Sequence, residues 1–330
     1  FGIDTAFDDY ASLLAADLHA VHNCTPNHLH HQINLATIDA GKHLLSEKPL
    51  AMTSAETGDL VARAESADVV TGVCHNYRHY PLVRQMKAML DAGDLGAPHL
   101  IHGSYLQDWL LYPTDWNWRL EVEKAGESRA VADIGSHWID LVQYVTGLTV
   151  TRVCARLRTV HEKRFKPEGE VKTFAHSEGE VVPVDIGTED LAAVLMEFDN
   201  AATGVVTISQ VSPGRKNDFA VRIDTPSAGL AWEQQDPNHL WIGRRDEANA
   251  DLVRDASLLA PEAAALAHYP GGHVEGWADA LKNLVADFYA MVAGSHEGSF
   301  ATFADAHQVT RVVEAIVESS RTERWVEVTI

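Results

Sequence analysis

Gly41-Lys42-His43-Leu44-Leu45-Ser46-Glu47-Lys48-Pro49-Leu50-Ala51-Met52-Thr53-Ser54 is the stretch on which the fold turns. A glycine that ends a helix is followed at once by a short apolar run, too brief for another helix, which reads as a buried strand at 43 to 46. Glu47-Lys48-Pro49 then leaves the strand, and Ser54 stands as the candidate cap of a helix running to Ser66. The same alternation extends both ways. Tyr10 to Ala16 and His30 to Ala40 carry helical spacing, with Leu35, Ala36 and Ile38 on the buried side of the second, while Leu18 to Cys24 and Val69 to Cys74 read as strands. Strands alternating with helices of this length predict a parallel, doubly wound α/β sheet. Such sheets bind ligands at the carboxyl ends of their strands, which is where Lys48 falls.

Beyond residue 80 the pattern changes. Pro81 to Ala92 predicts a helix stopped by Gly93, and Ile134 to Tyr144 another that ends before Gly147. Strand candidates lie at 100 to 106, 150 to 160, 190 to 198, 203 to 211, 219 to 224 and 239 to 242, and Trp277 to Val292 and Phe303 to Ser320 close the chain as amphipathic helices. Runs of strands after a βα alternation predict a second, α+β domain with a large, mainly antiparallel sheet flanked by helices. The polar stretch 161 to 188, rich in Gly, Pro and Glu, is expected as an exposed loop.

At 330 residues, with 46% apolar and 22% charged, the chain has an ordinary globular profile and the length of two domains. Forty-seven acidic against 26 basic residues leave a formal charge of -21, which repels nucleic-acid phosphates and anionic membrane surfaces and argues against both as partners. No apolar run approaches the roughly 20 residues of a membrane span. Phe1-Gly2-Ile3-Asp4 has no export signal character. Cys24, Cys74 and Cys154 are odd in number and scattered, so neither a disulfide framework nor a thiolate zinc site is expected, and a reducing cytoplasm is. The 18 histidines, including His28, His30 and His31 and the pair His75 and His79, lack regular ligand spacing, and no metal is expected.

A second polar cluster lies in Asp133-Ile134-Gly135-Ser136-His137-Trp138-Ile139-Asp140. In a helix Asp133, His137 and Asp140 share one face. Lysine, aspartate and histidine together suit alcohol and ketone chemistry. His137, placed near a helix N-terminus whose dipole keeps the ring neutral, is the candidate base. Lys48 would donate to the reacting oxygen, and Asp133 would hold a neighbouring hydroxyl or fix the local charge. Asp140 reads equally well as a buried structural carboxylate. Thr25-Pro26-Asn27, between a strand and a helix, points amide groups at the ligand crevice. Tyr105-Leu106-Gln107-Asp108-Trp109 leaves a strand with aromatic faces beside amide and carboxylate groups, which suits a sugar ring. His273, on the loop Pro270 to Gly276, is a further candidate, although turn chemistry accounts for the glycines of that loop equally well.

Glu-Lys-Pro after a short strand, followed by Asp-x-Gly-x-His-x-x-Asp, resembles the glucose-fructose oxidoreductase / inositol dehydrogenase (Gfo/Idh/MocA) family of nicotinamide-dependent oxidoreductases. Cys24-Thr25-Pro26-Asn27-His28-Leu29-His30, Ala40-Gly41-Lys42-His43, Asn76-Tyr77-Arg78 and Trp118-Arg119 match in the family's order and span most of the chain. The resemblance implies a Rossmann-type dinucleotide-binding domain over 1–80 and a substrate-binding and oligomerisation domain over 81–330. It implies NAD or NADP as cofactor, a carbohydrate or cyclitol substrate, hydride transfer between a secondary alcohol and a ketone, and a homodimer or homotetramer. Lys48 and His137 would share the proton-transfer role beside Asp133. Thr25, Pro26, Asn27, His30, Glu47, Lys48 and Asn76 would line the cofactor, with Trp118 and Arg119 reaching across from the second domain. Lys48, Tyr105, Gln107, Asp133, His137 and His273 would meet the substrate. The stretch around Tyr105 is similar to that of members oxidising glycosides and anhydrosugars. One departure is that Arg129-Ala130-Val131 stands where the family usually carries a glycine pair.

No G-x-G occurs in the 330 residues, although a dinucleotide fold normally opens with a strand and a G-x-G-x-x-G turn. The first domain is therefore expected to be N-terminally incomplete, with at least one βαβ unit of roughly 30 residues preceding Phe1. Three other readings fit some of the same residues: a redox-assisted glycosidase of the same family, a non-catalytic sugar-sensing relative, and a metal-dependent hydrolase or isomerase using Asp133, His137 and Asp140.

Overall fold

Three parallel strands, Ala20–Asn23, His43–Ser46 and Thr71–Val73, form the first sheet of the computed structural model, side by side in chain order. The structure describes residues 2–3, 5–167, 181–295 and 298–329. Helices His30–Asp39 and Ser54–Glu65 make the crossovers. The cap of the second is Thr53, not the expected Ser54. The Thr53 side chain accepts from the Glu56 amide while the Glu56 carboxylate accepts from the Thr53 amide, so the position of the glutamate decides which hydroxyl caps. The Ser54 amide instead donates to Glu314 on the last helix.

The second sheet has nine strands among the described residues. Leu100–Leu106 lies near its middle, antiparallel to Asp218–Asp224 and parallel to Thr203–Ser209, and the remaining pairings are antiparallel. Gly229–Glu233, Ala250–Val253 and Val326–Glu327 add strands that the periodicity of the sequence does not announce. Burial alternates along Leu191–Phe198, where Ala192, Val194, Met196 and Phe198 face the core while Leu195 faces outward. The expected loop at 161 to 188 is partly a hairpin, Lys163–Pro167 with Val181–Asp185, anchored by the buried Arg164 on Asp190. Residues 168–180 of that expectation lie outside the described residues.

Trp138, Phe219, Trp232, Val206 and Ile208 belong to the main core, against which helix Ser136–Thr146 packs. Gly103 makes this possible: a Cβ there would lie 2.0 Å from the Ala220 carbonyl oxygen and 2.8 Å from Trp138 Nε1, which itself donates to that carbonyl at 3.1 Å. The two closing helices, Trp277–Val292 and Phe303–Thr322, return to the first sheet. Leu284, Phe288 and Phe300 cluster with Leu45, while Ala301, Phe303 and Ala306 cluster with Leu44, Leu50 and Leu60. The carboxyl ends of the parallel strands are thereby held against the second sheet's central helix.

That helix begins earlier than the sequence suggests. A π-helical turn, Val131–Gly135, runs directly into Ser136–Thr146, and Gly147 closes it in the left-handed conformation. His137 therefore sits in the interior of a continuous helical segment.

Gly103→Ala is expected to lower the unfolding free energy by about 3 kcal/mol, as overpacking against a fixed backbone does. Chemical denaturation monitored by tryptophan fluorescence measures it, and a loss well below 1 kcal/mol would show that the central strands part easily.

Candidate active site

Lys48 leaves the strand His43–Ser46 and its ammonium donates to two acceptors of one residue, the Asp133 carbonyl oxygen and Oδ1, each at 2.8 Å. Both side chains are nearly buried, at 13% and 15% exposure. Arg119 Nε approaches the same Oδ1 at 3.2 Å, with its guanidinium 4.5 Å above the Trp118 ring. The other oxygen, Oδ2, accepts from Gln210 Nε2 at 2.9 Å. Burial alone would raise the Asp133 carboxyl, but the charges of Lys48 and Arg119 hold it well below the usual carboxylate range. It is an anion with every oxygen committed.

His137 follows one turn later and is buried. Burial is the first cause that pushes its imidazole far below the usual histidine range, and Lys48 and His75 add to it while Asp133 opposes. The ring is neutral for these reasons. The helix dipole expected to keep it so contributes at a terminus, and His137 is not at one. Its Nδ1 has no hydrogen-bond partner among the described residues. The His75 ring stands edge-on at 5.4 Å and the Tyr77 ring at 5.1 Å. Asp140, the third residue of the motif, does not join the cluster. Arg78 Nε and Nη2 bind its two oxygens at 2.9 and 2.6 Å, so it is an internal counter-ion.

Beside His137, the hydroxyls of Tyr77 and Tyr105 meet at 2.8 Å, Tyr105 donates to Asn217 Oδ1 at 2.7 Å, and Asn217 Nδ2 donates to Tyr77 at 3.1 Å. Gln107 Nε2 donates to the same Asn217 oxygen at 2.9 Å, and Trp109 Nε1 donates to Gln107 Oε1 at 2.7 Å. Tyr105 and Gln107 thus stand together at one end of the second sheet. His273 is elsewhere in its contacts: it is exposed, its Nδ1 lies 3.3 Å from the Pro270 carbonyl, and its own carbonyl accepts from Arg254. The loop's glycines serve its turn.

The residues expected at the cofactor gather at the strand ends. Asn23 Oδ1 accepts from the Thr25 amide and hydroxyl, while Asn23 Nδ2 donates to Asn34 and Asn34 to Ser46, which fixes the turn after the first strand. Pro26 and Asn27 continue this turn, and Asn27 Nδ2 donates to the Ala125 carbonyl at 3.3 Å. His30 is buried with its two ring nitrogens at 2.6 Å from the Pro49 carbonyl and 2.7 Å from the Thr25 carbonyl, so it braces two turns from beneath. Glu47 accepts from the Lys48 amide at 3.1 Å. Asn76 is buried with Nδ2 lacking a partner among the described residues. A cavity of about 500 Å³ adjoins these residues, lined by Pro49, Met52, His75, Ala125, Ser136 and Val309 among others. Its lining does not include Lys48, Asp133 or His137.

Gln210 and Asn217 carry no motif and escape the sequence reading. Strand pairing would have found them. Leu106 lies opposite both Ser209 and Asp218, so the residues just beyond those positions must flank Gln107.

Residues 1–75 match the family model described as oxidoreductase family, NAD-binding Rossmann fold, and residues 83–227 match the GFO/IDH/MocA C-terminal domain. The levoglucosan dehydrogenase of Pseudarthrobacter phenanthrenivorans is 31% identical over 99% of this chain and 85% of its own. Among solved structures, a levoglucosan dehydrogenase in complex with NADH and levoglucosan superposes with a TM-score of 0.87 at 27% identity, covering 100% of this chain and 86% of the other. An inositol dehydrogenase homolog from Azotobacter vinelandii complexed with NAD+ does so with 0.83 at 26%, covering 97% and 82%.

Burial lowers both His75 and His137. Each binds a proton in the unfolded chain near its ordinary value of about 6.5 and less readily in the folded one, so stability falls as pH drops through and below that value. Between pH 7.5 and 5.5 the pair is expected to account for part of the stability lost. Denaturant titrations at the two pH values, compared with a His75→Phe/His137→Phe double variant, measure this share. Equal pH dependence in both proteins would refute it.

Proposed function

The chain belongs to the Gfo/Idh/MocA oxidoreductase family, and from that premise we propose that it interconverts a secondary alcohol and a ketone on a sugar, glycoside or cyclitol, using NAD or NADP. One observation carries the reading: a lysine ammonium gripped by one aspartate beside a buried, neutral histidine, at the carboxyl ends of parallel strands.

The crevice residues fit a nicotinamide cofactor. The buried Asn76 amide has a donor to spare, the Thr25 to Asn27 turn is braced from below by His30 and Asn23, and Arg119 supplies a cation at the rim. Thr25, Pro26, Asn27, Glu47, Lys48, Asn76, Trp118 and Arg119 would hold it. When bound, such a cofactor accepts or supplies the hydride.

The chain's own residues handle the proton. His137, neutral and shielded from bulk water, takes the proton of the reacting hydroxyl. Lys48, paired with Asp133, donates a hydrogen bond to the same oxygen as negative charge develops on it. Asp133 holds the ammonium from behind, so its position controls where that charge points. Tyr105, Gln107 and Trp109 offer ring faces and a carboxamide to a cyclic polyol, as the sugar and inositol enzymes among the relatives would lead one to expect. We assign 1–80 to the cofactor and 81–330 to substrate and self-association. The outward sheet face bearing Leu195, Val205 and Trp241 is the surface proposed to join a homodimer or homotetramer, and the reducing cytoplasm is its compartment.

Absorbance of reduced nicotinamide, followed while the protein is offered a panel of sugars, glycosides and inositols, is expected to rise with a cyclic polyol. Glycoside cleavage without net reduction would instead favour the redox-assisted glycosidase. Lys48→Met and His137→Ala should each lower turnover by roughly 10²- to 10⁴-fold, with a double variant costing less than the product. Asp133→Asn should lower kcat as well as raise KM, because the amide no longer anchors the ammonium. Near wild-type turnover in both single variants would overturn the assignment.

A further inference from the structure

Behind Asp133 the polar chain continues inward through residues that touch neither the cofactor crevice nor the rim. Gln210 Oε1 accepts from Arg129 Nη1 at 2.7 Å. Arg129 Nη2 donates to Asp190 Oδ1, which also accepts from Arg164 Nη2 at 2.7 Å. Asp190 Oδ2 accepts from the amides of Val160 and His161 at 2.7 and 3.0 Å. The side chains of Arg129, Asp190 and Arg164 are fully buried, and Gln210 has no exposed surface.

We infer that Arg129 is a positioning residue for the reaction: by fixing the polarity of the Gln210 carboxamide it orients Asp133 and, through it, the ammonium of Lys48. A guanidinium can only donate, so the Gln210 oxygen must face it and the amide nitrogen must face Asp133. Reversed, the carboxamide would set its oxygen against the carboxylate. Asp190 in turn holds Arg129 in place, and its own rotamer is fixed by four donors from three other segments. The link therefore runs from a rigid buried anchor to the reacting group, with each polar atom allowing one direction only. A donor on Oδ2 also leaves Oδ1 free to face Lys48 and Arg119, and it favours the ionised carboxylate.

The inference rests on the proposed roles of Lys48 and Asp133, and the test separates the two. In the unliganded protein, acylation of Lys48 by an amine-reactive acetylating reagent, read by peptide mass spectrometry, reports how firmly Asp133 holds it. Arg129→Met is expected to raise that rate roughly tenfold, as loss of one hydrogen bond to a charged group does, and to lower kcat about tenfold with little change in KM. Gln210→Met cuts the same link while leaving the Arg129 and Asp190 pair intact, so it decides the matter if Arg129→Met fails to fold. Arg129→Lys should recover part of both effects, and the double variant should be no worse than Gln210→Met alone. Wild-type acylation in folded Arg129→Met or Gln210→Met would overturn the inference. Full turnover in Lys48→Met would instead defeat the proposed active site and leave the acylation result to stand by itself.

Discussion

The bond from Lys48 to Asp133 joins residues 85 positions apart and is the contact on which the arrangement of this molecule depends. One end lies on the connection leaving a parallel strand, the other on a π-helical turn packed over the large sheet. Neither partner tolerates the other's absence. A nearly buried ammonium or carboxylate stripped of its counter-charge costs about 3 to 5 kcal/mol, so the two sheets are registered at this point by electrostatics as well as by apolar packing. The closing helices reinforce the junction, since Ala301, Phe303 and Ala306 bury the same strands that aim Lys48.

Three buried carboxylates have both oxygens paired with donors. Asp133 meets two cations and an amide, Asp140 meets a two-pronged guanidinium, and Asp190 meets two arginines and two backbone amides. Such clusters add little net stability compared with an apolar core, but they allow few alternative geometries. The unpartnered atoms stand out against this background. His137 Nδ1, His75 Nδ1 and Asn76 Nδ2, all within the proposed site, are among the atoms buried without partners among the described residues.

The aromatic layer serves the same end by different means. Tyr77 stacks on Phe219 at 4.7 Å and on Tyr80 at 5.7 Å and meets Tyr105 edge-on, which sets the wall beside His137 without using charge. Burial raises the phenols of Tyr77 and Tyr105, so their hydroxyls remain donors in the ring they form with Asn217.

Local features of the chain determined the alternating first sheet, the closing helix from Trp277, the change of pattern near residue 80 and the pairing of a strand-end lysine with an Asp-x-x-x-His helix. Each rests on short-range signals: glycine stops, apolar periodicity and motif spacing. Thr53 displaced Ser54 as a cap because Glu56 stands three residues after it, a local signal as well. Two things were decided only in three dimensions. His137 owes its neutral ring to burial and to the charge of Lys48, neither of which is written near residue 137. Gln210 and Asn217 came to the site through the pairing of Leu100–Leu106 with strands more than a hundred residues later, and Asp190 came beside Gln210 through the pairing of Leu191–Phe198 with Thr203–Ser209. A hydrogen-bonded partner supplied by a neighbouring strand leaves no periodicity behind it, because register is set by the whole sheet and not by the residues on either side.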